Sequence, residues 1–164
     1  MRKLILGLTV VCSMMVMEVR AQSHFDNAIG FRGGSSLSAV TFKHFFNSED
    51  AMELIAGAHN FNYGFGGSAL YERHMGIDWG TDGFDWYFGG GVSLGYWDGW
   101  YKRNKNYPSE YYRDGEFYFG VSGIIGLEYT IPNVPLNFSV DFMPTVGYHV
   151  WSPGGALSIR YVIN

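Results

Sequence analysis

Cysteine is all but missing. Cys12 is the only one in 164 residues, so no disulfide framework holds this chain together. It follows Val11 in mid-run rather than a small residue, which argues against lipid attachment. Charge is sparse at 16%, and positive charge is the minority, with 11 Lys+Arg against 15 Asp+Glu. Phosphate backbones need a basic footprint, so nucleic acid is not expected as a partner. Beyond residue 21 no apolar run approaches the ~18 residues that a membrane helix requires. The histidines, His24, His44, His59, His74 and His149, show no metal-ligand spacing such as His-x-x-x-His. None of the glycine runs sits at a strand-to-helix turn, so none reads as a phosphate loop. No metal and no cofactor is expected.

The N-terminus carries a different signal. Arg2 and Lys3 precede an apolar run from Leu4 to Met17, and Val19-Arg20-Ala21 resembles a cleavage site. The run is too short to span a bilayer as a helix, so residues 1–21 read as a secretory signal peptide and residues 22–164 as one domain. Removing that segment takes away three basic residues (Arg2, Lys3, Arg20) and one acidic residue (Glu18), moving the formal charge from −4 to −6.

What the chain has in quantity is glycine, 23 residues, and aromatics, 18%. That mixture is poor helix material and suits curved sheets with aromatic girdles. The stretch Glu116 to Tyr129 alternates strictly. Phe117, Phe119, Val121, Ile125, Leu127 and Tyr129 share one face, while Glu116, Tyr118, Ser122, Ile124 and Glu128 share the other. The same period recurs along the chain. It predicts strands at Asn27–Gly34, Leu37–Phe46 (Thr41 and Lys43 facing in), Ala51–His59, Gly64–His74, Phe84–Trp97, Glu116–Tyr129, Leu136–Met143 and Gly155–Ile163. Residues 144–153 read as a possible continuation followed by a loop. Connections after the second and sixth strands are short, and those after the fifth and seventh are longer. The predicted fold is all-β, an eight-stranded antiparallel up-and-down transmembrane β-barrel.

Alternation alone does not orient a barrel. A soluble lipocalin-like barrel turns its apolar face inward around an apolar ligand; a membrane barrel turns it outward. Large rings at strand ends (Trp86, Tyr96, Tyr129, Phe142, Tyr161) suit an interfacial belt, and low charge suits a wall that faces lipid. The outward choice places Arg32, Glu53, Glu72, Asp85, Glu116, Glu128, Asp141 and Arg160 inside. Eight strands leave room for little more than side chains, so these charges read as a salt-bridged, non-conducting filling.

The segments FDWYFGGGVSLGYWDG, VSGIIGLEYTIPNVPLNFSVDFMP and GGALSIRYVIN resemble the small outer-membrane β-barrel proteins of Bacteroidota, which are similar to the OmpA membrane domain and OmpX. The resemblance implies residence in the cell outer membrane after signal-peptide export. The partners it implies are outer-membrane lipids and lipopolysaccharide, and the outer-membrane insertion machinery that reads the last strand. The chain departs from that pattern by ending Tyr161-Val162-Ile163-Asn164 instead of on an aromatic.

The region 98–115 is the candidate for recognition. Trp97, Trp100, Tyr101, Tyr107, Tyr111 and Tyr112 interleave with Lys102, Arg103, Lys105 and Arg113. Rings stack on sugars and basic groups pair with phosphates, so a glycan or a surface protein is the expected partner. A lipid-modifying barrel enzyme is the catalytic alternative. Ser122, Ser139, Ser158, Glu128 and Asp141 are parts for one, but a triad is recognised by geometry and not by inventory. No enzyme activity is expected.

Overall fold

The structure, a computed structural model, describes residues 25–60, 63–98 and 115–163. The proposed signal peptide therefore lies outside the described residues. The strands are β1 (Asn27–Gly34), β2 (Leu37–Phe45), β3 (Asp50–His59), β4 (Tyr63–Gly76), β5 (Phe84–Asp98), β6 (Glu116–Thr130), β7 (Leu136–Tyr148) and β8 (Val150–Ile163). Each pairs antiparallel with the next, and β8 returns to β1, with Asn27 opposite Ile163 and Gly34 opposite Ala156. Closure leaves no sheet edge to pair with another chain.

The two faces separate as the period of two requires. On β6, Phe117, Phe119, Val121, Ile125 and Leu127 are exposed on the outer wall, while Tyr118, Ser122, Ile124 and Glu128 are buried in the lumen. Among the described side chains of the strands, the only Asp, Glu, Lys or Arg on the outer wall are Asp50 and Arg73. These two pair with each other near the β2–β3 turn, at the end of the barrel that holds the termini.

The last hairpin differs from the sequence expectation. Strands β7 and β8 run through residues 144–153, and His149 alone separates them. Proline normally ends pairing because it lacks a donor. Here Pro144 and Pro153 stand opposite each other, at a position where neither strand needs an N–H from the other, so that ladder continues. The loss appears on the other side: the β6–β7 pairing passes from Ser122–Thr145 to Ile125–Phe142 without engaging Pro144. The turn itself holds His149 at φ 56°, a conformation usually given to Gly or Asn, so nothing in the sequence flags it. The expected long connection after the seventh strand is thus a tight turn.

Lumen space is shared between large and absent side chains. Tyr87 sits opposite Gly126 and Tyr118 opposite Gly95. A Cβ on Gly126 would come within 2.6 Å of the Tyr87 ring, and one on Gly95 within 2.6 Å of the Tyr118 ring. At the end that holds the termini, Phe25 packs edge-on against Phe45 at 4.9 Å and, with Ala28 and Val162, forms an apolar floor.

Candidate functional site

Above that floor lies a layer of ionised side chains. Lys43 is fully buried at its centre. Its Nζ lies 2.8 Å from Glu72, 2.8 Å from Glu128 and 3.6 Å from Glu53, and it stands 4.4 Å over the ring of Tyr87. Arg160, also fully buried, donates to Glu53 at 2.6 Å, Asn137 at 3.0 Å and Ser139 at 2.9 Å, with Glu128 at 3.5 Å. Thr41 donates to Glu53. His74 lies 3.3 Å from Glu72 and 3.8 Å from Glu128, stacked on Tyr87. Such a layer exists because alternate residues of six strands, β2 to β5 through β6 and β8, place ionisable groups at one height. Desolvating so many charges is tolerable only where each meets its opposite.

One level higher, Arg32 forms a two-pronged pair with Asp141, both contacts at 2.5 Å, and Tyr87 donates to the same carboxylate at 3.3 Å. Ala39, Ile55, Leu70 and Ile124 form an apolar band with Tyr87. Above it the chemistry changes. Ser68, Ser93, Ser122 and Thr145 come from four successive strands, β4 to β7, and their hydroxyls join in a chain with steps of 2.6, 2.6 and 2.7 Å. Ser68, Ser93 and Thr145 border a cavity of about 250 Å³ whose other walls include His59, Trp97, Tyr118 and Val150. Trp97 and Tyr118 lie 4.8 Å apart at 30°, and the Tyr118 hydroxyl lies 3.1 Å from His59 Nε2.

Of the candidate lumen residues, Arg32, Glu53, Glu72, Glu128, Asp141 and Arg160 converge in these two charged levels, and Asp85 is buried on the same side. Glu116 is apart from them, half-exposed at the opposite end and 3.1 Å from His149. Sequence reasoning omits Lys43, His74 and Tyr87 from the network, along with the neutral partners Thr41, Asn137 and Ser139. Lys43 is directly opposite Glu53 in the β2–β3 register, a cross-strand charge pair that the inward reading of both residues already contains. His74 and Tyr87 carry no comparable signal, because their roles depend on what crosses the lumen.

Of the candidate recognition residues, Trp97 belongs to β5 and turns toward the lumen mouth. Trp100, Tyr101, Lys102, Arg103, Lys105, Tyr107, Tyr111, Tyr112 and Arg113 lie outside the described residues. The catalytic parts do not assemble. Ser122 is held in the hydroxyl chain, Ser139 accepts from Arg160, Glu128 and Asp141 face cations, and Ser158 is buried without a hydrogen-bond partner for its hydroxyl. Among the described residues no serine hydroxyl bonds a histidine ring.

No family model and no curated protein matches the chain. Among solved structures, the N-terminal β-barrel domain of Pseudomonas aeruginosa OprF superposes with a TM-score of 0.69 at 14% identity, covering 85% of this chain and 100% of that one. At that identity the likeness extends to the eight-stranded barrel fold.

Proposed function

We propose that this chain is a small outer-membrane barrel, exported by residues 1–21, which spans the bilayer with a sealed, non-conducting lumen and offers its β5–β6 end to the outside for recognition. The observation that carries this reading is the reversed polarity of the barrel. Outside are Ile29, Val40, Leu54, Val92, Val121, Ile125, Val140, Leu157 and Ile159, each more than 40% exposed; inside are lysine, arginine and carboxylates with no access to solvent. In water so continuous an apolar wall would be an association surface far larger than soluble monomers carry. In lipid it is the stable arrangement, since closure satisfies the backbone.

Aromatic clusters frame that wall at both ends, as interfacial belts do. Phe84 stacks on Tyr129 at 4.2 Å toward one end. Toward the other, Tyr96 packs on Phe117 at 5.1 Å and Phe119 on Tyr148 at 5.5 Å. A lipocalin-like barrel would need these aliphatics around a central ligand, and they are on the opposite face. The ionic layer supports the sealed lumen, because its side chains meet across the barrel above the Phe25 floor.

The test is refolding into phospholipid vesicles. The folded barrel should run faster than its boiled form on a denaturing gel, resist added protease over its strands, and leave planar bilayers without discrete conductance steps. A protein that stays in the aqueous phase and shows no mobility shift would overturn the membrane reading. Regular single-channel openings would overturn the sealed lumen alone.

A further inference from the structure

The upper lumen is a blind cup. Arg32 and Ile55 line its base, Ser68, Ser93 and Thr145 line its wall, and the lining reaches the β1–β2 turn and the first residues of β8, where Ser36 and Ser152 meet at 2.9 Å. We propose that the cup is a binding site for a neutral, hydroxyl-rich solute the size of one sugar ring. The proposal deepens the recognition role above and moves it from the external loop to the lumen mouth. That the solute arrives from outside the cell rests on the proposed orientation, whereas the chemistry of the cup does not.

Three features select the ligand. The first is proton balance. Each hydroxyl supplies one proton and two lone pairs. The chain of Ser68, Ser93, Ser122 and Thr145 uses three protons and three lone pairs in its own bonds, which leaves one proton against five lone pairs, four of them on the three residues that line the cavity. A complementary ligand must therefore donate, as sugar hydroxyls do. The second feature is charge. The charge of Arg32 is balanced by its two-pronged contact with Asp141, so the base presents a neutral pair, with no net cation for a phosphate or carboxylate and no net anion for an amine. The third is shape. Trp97 and Tyr118 set an aromatic wall beside the hydroxyls, and ring C–H faces pack on aromatics while their hydroxyls reach polar neighbours. The volume, about 250 Å³, is below the roughly 300–1,000 Å³ of pockets for drug-sized ligands. It would hold about eight waters at ~30 Å³ each, enough for a single ring and too little for an extended chain.

The experiment uses the full barrel refolded in detergent micelles, ¹⁵N-labelled and titrated separately with glucose, galactose and N-acetylglucosamine, and with toluene and inorganic phosphate as probes of the competing chemistries. Saturable amide shifts confined to Ser68, Ser93, Trp97, Tyr118, Thr145 and their chain neighbours with at least one sugar support the site. Binding should weaken about tenfold in Ser93→Ala, which removes one hydroxyl, and more in Trp97→Ala, with gel mobility confirming that both variants fold. Absence of saturable shifts with all three sugars, tighter binding of toluene or phosphate, or unchanged sugar affinity in both variants would overturn the proposal. A soluble barrel that still bound sugar would overturn the membrane reading and leave this site standing.

Discussion

Between Lys43 and Ser93 the lumen changes from a charged filling to a hydroxyl-lined cup, although the same eight strands build both. In the lower part long side chains from several strands meet across the lumen, and two cations, Lys43 and Arg160, hold three carboxylates. In the upper part Ser68, Ser93, Ser122 and Thr145 take their place, short side chains that reach only their immediate neighbours, with Trp97 and Tyr118 beside them. A narrow barrel is filled when its residues are long and hollow when they are short. On the proposed reading the lower layer carries stability and closure, and the upper part carries the binding cup. The contrast also separates two kinds of polar burial. Charges removed from water depend on every partner being present, while neighbouring hydroxyls beside a cavity can exchange partners with solvent.

The sharpest way to break this comparison is to remove a cation. Lys43→Met strands Glu72 and Glu128 without their closest positive partner, and should lower stability by ~3–5 kcal/mol, measured as a shift in the urea midpoint for refolding in micelles. Adding Glu72→Gln to that variant should restore part of the loss, because the pair is coupled; strictly additive losses would show that Lys43 does not organise the layer. Next in size is the outer wall that both halves share. Val121→Arg should cost ~2–4 kcal/mol if it meets lipid at mid-depth. Its neighbour Ser122→Arg, on the inner face, should be better tolerated, and equal losses would count against the facing assigned here.

A smaller effect tests the filling. Gly126→Leu intrudes on the Tyr87 ring and should cost ~1–3 kcal/mol by overpacking. Gly123→Leu, whose added Cβ meets nothing closer than 4.0 Å, should fold with an unchanged midpoint. The smallest effect belongs to the cup. Ser93→Ala should cost only ~0.5–1.5 kcal/mol, and a loss as large as that of Lys43→Met would erase the distinction between the two halves.

Much of this was legible along the chain. Strict alternation in Glu116–Tyr129 and its counterparts assigns faces along the chain, and the inward placement of Arg32, Lys43, Glu53, Glu72, Asp85, Glu128, Asp141 and Arg160 follows from parity alone. Strand ends were less legible where proline intervened. Pro144 and Pro153 look like stops in one dimension, and only their mutual register shows that the missing donors face away from the shared ladder. The hydroxyl chain was also hidden. Ser68, Ser93, Ser122 and Thr145 are spread over residues 68–145, and each alone is an ordinary small residue on a strand.

Local order along the chain therefore determined the secondary structure, the two-faced wall and the sign of each face, because a strand's side-chain period is a property of neighbours in sequence. The tertiary structure decided which residues share a height in the lumen. Register and closure set that height, and they bring Lys43 to carboxylates from three strands and leave Ser93 beside open space. Contacts across a barrel axis depend on where strands start relative to one another, which no single strand encodes.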